Sequence, residues 1–165
     1  MKTNAARYLD SLNLPYEIRE YTLAMDEFSA TLVAEKIGLA AEQVFKTLLC
    51  TTGEREYVFA VIAADQELDF KKLAQVAGAR RAEMVPVKDV QGLTGYIRGG
   101  VTVFGARKSF SVFVDESIMM FSQIAVSAGV RGKQILLTPQ NYLHASQATL
   151  AAIAQQAVAP AKDRY

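Results

Sequence analysis

One cysteine and one histidine are all that the 165 residues offer for thiolate or imidazole chemistry, and tryptophan is missing altogether. A single thiol closes no internal disulfide and builds no thiolate zinc site, and a single histidine removes the His-rich metal centres. An excess of one charge is also lacking: 18 basic residues stand against 17 acidic ones, a formal net charge of +1. So neutral a chain is a poor match for an extensive nucleic-acid footprint. The longest wholly apolar run, Tyr57 to Ala64 with tyrosine counted, is far too short to span a membrane. The start, Met1-Lys2-Thr3-Asn4, leads into an amphipathic segment, so no signal peptide is read. No P-loop, G-x-S-x-G elbow or H-E-x-x-H motif is present. What remains is a chain that is 51% hydrophobic and 21% charged. Its length suits one domain with a proper core, and the expectation is a soluble, cytoplasmic protein.

The near-neutral total hides an uneven layout. Residues 1–70 carry 6 basic and 12 acidic groups, whereas residues 71–133 carry 10 basic and 4 acidic groups. The second block holds Lys71, Lys72, Arg80, Arg81, Arg98, Arg107, Lys108 and Arg131. Such asymmetry is a weak pointer to a phosphate-bearing partner on one face.

Local signals predict α+β organisation. Thr3 or Asn4 can cap a first helix with Ala6, Leu9 and Leu12 on its apolar face, and Tyr16 to Tyr21 alternates as a half-buried strand should. Ser29 to Ile37 reads as a helix stopped by Gly38. Val44 to Thr52 and Tyr57 to Ala63 are β-rich runs joined by Gly53-Glu54-Arg55-Glu56, a hairpin signal. Asp69 caps the next helix, which ends at Gly78, and Pro86 opens a short one over Val87 to Leu93. Further strands are expected at Val101 to Phe104, Ser111 to Val114, Gln123 to Ser127 and Gln134 to Leu137. Thr138-Pro139 starts a helix, and Ser146 is expected to cap a last helix with Leu150 and Ile153 buried. Without a regular βαβ alternation, α+β is favoured over a doubly wound sheet. One domain over 1–157 and a frayed tail over 158–165 are expected.

The usual catalytic sets are mostly missing. His144, in a helical context without a partner, reads as a surface or packing residue, and Cys50 as a buried, inert thiol. The strongest local signal is a glycine-dense stretch: Gly92, Gly95, Gly99, Gly100 and Gly105. Glycines let backbone N–H groups face an oxyanion or phosphate, but tight turns and bulges explain the same pattern equally well. Lys46 is the one charged residue inside Val44-Phe45-Lys46-Thr47-Leu48-Leu49 and projects on the Val44 and Leu48 side of the strand. It stands either on a wet face, which composition alone favours, or at the edge of an apolar pocket where it meets a phosphate or carbonyl oxygen.

Four motifs follow one another: Lys46-Thr47-Leu48-Leu49, Leu68-Asp69-Phe70-Lys71-Lys72-Leu73-Ala74, Gly95-Tyr96-Ile97-Arg98-Gly99-Gly100-Val101 and Val126-Ser127-Ala128-Gly129-Val130-Arg131-Gly132. That succession resembles the YbaK/EbsC family of aminoacyl-tRNA deacylases, related to the editing domain inserted in bacterial prolyl-tRNA synthetases. The likeness runs roughly from Asn4 to the last helix. It implies a single α+β domain with a curved, barrel-like mixed β-sheet flanked by helices. It implies trans-editing: cleavage of the ester between a wrong amino acid and the terminal adenosine of tRNA(Pro), cysteine first and alanine or another small residue second. It implies no cofactor, no metal and no membrane, with prolyl-tRNA synthetase as a second partner beside the tRNA.

The resemblance also assigns residues. Lys46 falls on the family's pocket lysine, with Gly99 and Gly100 as catalytic backbone donors to an oxyanion. Tyr21, Ser127, Thr102, Val103 and Arg131 fall on substrate-binding positions. For a cysteinyl ester the family provides a substrate-assisted route in which the substrate's own thiol attacks its carbonyl and leaves as a thiolactone; for alanyl esters a positioned water is the nucleophile. Val103 stands where the family's G-x-x-x-P loop carries proline, which bears on amino-acid preference. A binding module of the same fold that has lost turnover is the alternative.

Overall fold

The computed structural model describes residues 2–157; the frayed tail expected over 158–165 lies outside them. In chain order come α1 (Asn4–Ser11), β1 (Glu17–Glu20), α2 (Ala30–Ile37), β2 (Phe45–Gly53), β3 (Glu56–Ala63), β4 (Gln66–Leu68) and α3 (Phe70–Ala77). There follow β5 (Glu83–Met84), α4 (Val87–Thr94), β6 (Ser111–Asp115), β7 (Ile124–Ser127), β8 (Lys133–Leu137), α5 (Pro139–Ser146), β9 (Thr149–Ala151) and β10 (Ala154–Gln156). The fold is α+β. Helix starts obey the capping signals: the Thr3, Ser29, Asp69 and Thr138 side chains accept from the N–H groups of Ala6, Leu32, Lys72 and Asn141. Gly38 and Gly78 end α2 and α3 with φ of 76° and 71°, where a side chain would be strained.

The main sheet has the order β5-β2-β3-β6-β9 and is mixed: β2 is antiparallel to β5 and β3, while β3–β6 and β6–β9 are parallel. Alternation along the β2–β3 hairpin separates two cores. Phe45, Leu49, Phe59, Val61 and Ala63 face the larger one, together with Leu9 of α1, Val126 of β7 and Tyr142 of α5. Leu48, Cys50, Val58, Ala60 and Ile62 face the other, closed by Leu73 and Ala74 of α3. A second sheet, β1-β8-β7, meets the first through a parallel bridge between Val44 and Ala125. Val44, Ala125 and Leu136 pack there against Ala34 and Ile37 of α2. A small cavity lined in part by Val44 lies at this junction.

Two expectations fail. Residues 101–104 form no strand; Thr102 Oγ1 accepts from the Phe104 N–H at 3.5 Å, a local bond that competes with a ladder. The expected last helix is instead β9 and β10. Leu150 pairs with Val114 and is 41% exposed, while Ile153 is fully buried. The reason is Asp115: its Oδ1 accepts from the N–H groups of Ile153 and Ala154, both at 3.1 Å, holding the chain extended beside β6. The alanine-rich stretch has helix propensity, which tertiary pairing overrides.

Candidate functional site

Lys46 is the second residue of β2, and its side chain lies on the Leu48–Ile62 face, half-buried. Its Nζ donates to the Ala64 carbonyl at 3.0 Å. Ser127 ends β7 and faces Gln134 of β8 across the ladder; the Ser127 Oγ accepts from the Gly129 N–H at 3.1 Å. Tyr21 follows β1, anchored by its N–H to the Gly132 carbonyl at 2.9 Å. The Gln134 Nε2 donates to the Tyr21 hydroxyl at 3.4 Å. Gly99 sits in the loop after α4 with φ of +86°. Tyr21, Lys46, Gly99 and Ser127 thus line one cavity of about 40 Å³, with Phe28 and Gln134. Its walls are apolar, from Val33 of α2 and Val101, with polar groups aimed inward. Among the described residues, the lining holds no carboxylate, imidazole or thiol.

The other assigned residues lie around this cavity rather than in it. Gly100 is buried, and its N–H already donates to the Ile97 carbonyl at 2.9 Å, so it offers no donor to a bound oxyanion; Gly99 alone of the pair lines the cavity. Thr102 is 1% exposed and bonded locally. Val103 packs on the larger core and borders a separate cleft beside Tyr8 and Phe59. Arg131 is committed to the segment before α2: its Nη2 donates to the Ala24 carbonyl at 2.9 Å and to that of Glu27. Its guanidinium lies 4.5 Å from the Phe28 ring centroid, and that of Arg98 lies 4.0 Å from it. Two cations against one aromatic ring fix Phe28 as a wall.

Sequence reading missed Phe28, Thr47 and Gln134. Gln134, the second residue of β8, follows Lys133 and directly precedes Ile135-Leu136-Leu137, so it interrupts no apolar run as Lys46 does. It is 6% exposed, and its Oε1 is buried with no hydrogen-bond partner. An orphaned acceptor of this kind is costly unless a ligand satisfies it. The two residues set aside are placed as expected: Cys50 is fully buried on the α3 side, where burial pushes its thiol up to about 12, and His144 is exposed on α5. Among the described residues, no group of three or more His, Cys, Asp or Glu could hold a metal ion, and no helix is long and apolar enough to cross a membrane.

Comparison with known proteins places the chain in a family. The model of the aminoacyl-tRNA editing domain matches residues 26–145. EbsC of Enterococcus faecalis, named as a candidate Cys-tRNA(Pro)/Cys-tRNA(Cys) deacylase, is 41% identical over 152 residues, covering 92% of this chain and 93% of that protein. ProXp-y of Escherichia coli K12, named a multifunctional Ser/Thr-tRNA deacylase, is 32% identical over 122 residues, covering 72% and 73%. The crystal structure of a candidate trans-editing enzyme for prolyl-tRNA synthetase superposes with a TM-score of 0.79 at 21% identity, covering 94% of this chain and 99% of that one, which speaks to the fold.

Proposed function

The chain belongs to the family of aminoacyl-tRNA editing domains, and we propose that it is a trans-editing deacylase that removes a small wrong amino acid, cysteine first, from tRNA(Pro). The observation that carries this reading is the convergence of Tyr21, Lys46, Gly99, Ser127 and Gln134 on one cavity of about 40 Å³. So small a space suits the side chain of cysteine, alanine or serine. Relatives named for cysteinyl esters and for seryl or threonyl esters share this scaffold, so the lining selects the amino acid.

The roles follow from donor and acceptor chemistry. The Lys46 ammonium donates to the ester carbonyl or the terminal phosphate and stabilises negative charge there. The Gly99 backbone assists at the same oxygen. Gln134 Oε1 accepts from the substrate's α-ammonium, which satisfies the orphaned acceptor. Tyr21 and Ser127 hydroxyls orient the ribose. For a cysteinyl ester, the substrate thiolate attacks its own carbonyl carbon; the S–C bond forms, the ester C–O bond breaks, and the departing ribose oxygen takes up a proton. The amino acid leaves as a thiolactone, which water then opens. No protein nucleophile is required, and positioning carries the rate. For an alanyl ester, water in the cavity is the nucleophile. Such work places the protein in the cytoplasm, with prolyl-tRNA synthetase as a source of tRNA identity.

The test is a panel of tRNA(Pro) charged with cysteine, alanine or serine, given to the wild-type protein and to Lys46→Ala. Cysteine should be lost fastest, and Lys46→Ala should lose deacylation while keeping its circular dichroism and melting transition. Equal rates for Lys46→Ala and wild type would remove the proposed site. Saturable binding with no ester loss on any of the three would support the alternative, a binding module without turnover.

A further inference from the structure

Lys46 borders a second cavity, which at about 190 Å³ is larger than the first. Leu48 and Ile62 of the main sheet, Leu68 of β4 and Met84 of β5 give it apolar walls, and Phe70 stands at the first turn of α3. Its polar groups come from the two-stranded ribbon of β4 and β10, where Glu67 pairs with Gln155 and Gln66 with Gln156. Gln66, Glu67 and Gln155 all line it. Nothing in the deacylation steps above uses this space.

We propose that the larger cavity seats the adenine base that ends the aminoacylated RNA, the small cavity taking the amino acid, so that the ribose and its ester stand at Lys46 between the two. The inference rests on the deacylase reading. Its substrate has two unequal halves joined at the ribose, and the protein has two unequal cavities that both have Lys46 in their lining. The chemistry of the larger cavity is that of a base site. A flat purine face packs on aliphatic walls and on the edge or face of Phe70, as single-stranded RNA bases do on aromatic side chains. A purine edge carries both donors and acceptors, which glutamine amides match, as they do when reading adenine; the Glu67 carboxylate accepts from an exocyclic amine. The antiparallel register of the ribbon places Glu67 and Gln155 opposite each other on one rim.

The probe is adenosine 5′-monophosphate, titrated into the full chain while the methyl groups of Leu48, Ile62, Leu68 and Met84 are followed by NMR. Val33 and Val101 report on the small cavity. Saturable shifts confined to the first set are expected, with cytidine 5′-monophosphate and inorganic phosphate giving little. The nucleotide should also compete with aminoacyl-tRNA in the deacylation assay. Phe70→Leu and Gln155→Ala should each weaken the nucleotide about five- to tenfold and raise KM rather than lower kcat, unlike Lys46→Ala. Gln155 is exposed, so its variant keeps the test open if the Phe70 variant folds poorly. Shifts only at Val33 and Val101, no saturation, or binding that does not compete with deacylation would overturn the proposal. A wild-type protein that cleaves no ester would sink the deacylase reading instead, and the nucleotide titration distinguishes the two failures.

Discussion

The Arg131 side chain fills the space beside Gly99: a Cβ on residue 99 would stand 2.9 Å from Arg131 Cγ. The cavity's glycine wall and its Phe28 wall are therefore held by one arginine, which reaches past the first to hydrogen-bond the Ala24 and Glu27 carbonyls.

Gly99→Ala should cost more than its φ of +86° explains. The left-handed backbone alone costs about 1–2 kcal/mol for a residue with a Cβ, and the displaced Arg131 adds to it. In a double-mutant cycle with Arg131→Ala, measured by urea unfolding, the two substitutions should be less than additive. Strict additivity would show that the contact carries no energy.

Arg131→Met should loosen the wall formed by Phe28 while keeping aliphatic bulk. A fall of about 5- to 30-fold in kcat/KM, from about 1–2 kcal/mol of lost positioning, is expected. Arg131→Lys should rescue little, because a point ammonium lacks the planar fork that serves two carbonyls and an aromatic face. Full rescue by lysine would argue for simple charge.

Gln134→Leu should separate stability from activity. It removes a buried acceptor without a partner, so urea stability should hold or rise by about 1 kcal/mol. Deacylation should fall, mainly in kcat/KM, because the substrate ammonium loses its acceptor. A variant that is fully active would show that Gln134 does not meet the substrate.

Alkaline pH should destabilise the fold. Burial holds the Cys50 thiol up at about 12 against an ordinary 9.0, and pushes the Tyr142 hydroxyl up from 10.0. The native state keeps these protons while the unfolded chain releases them, so the unfolded state binds fewer protons and stability falls as pH rises through 9 and above. The slope approaches about 1.4 kcal/mol per pH unit per group. Urea midpoints at pH 8, 9 and 10 should show the decline, and Cys50→Ala should flatten it below pH 10. Native Cys50 should also resist alkylation at pH 8.

Local physics was legible in the residues. The caps at Thr3, Ser29, Asp69 and Thr138, the stops at Gly38 and Gly78, and the β2–β3 hairpin all follow from short-range chemistry. Lys46 stood out because a charge inside an apolar strand breaks the pattern, whereas Gln134, between Lys133 and the apolar Ile135-Leu136-Leu137, bears no such mark. Tyr21 and Ser127 entered through family likeness, since neither breaks any local rule.

Some features depend on contacts between segments far apart in sequence, and these the tertiary structure decided. Asp115 reaches across to residues 153 and 154 and turns an alanine-rich, helix-prone stretch into strands. Arg131, whose type suggests a phosphate ligand, is taken up by backbone carbonyls more than a hundred residues away, at Ala24 and Glu27. Gly100 has the freedom of a glycine, yet its N–H is already bonded to Ile97. Sequence alone determined where chain direction changes and which positions are polar against the pattern, because those are set by neighbours within a few residues. Which polar groups face a ligand was decided only by folding, because hydrogen-bond partners are shared out across the whole chain.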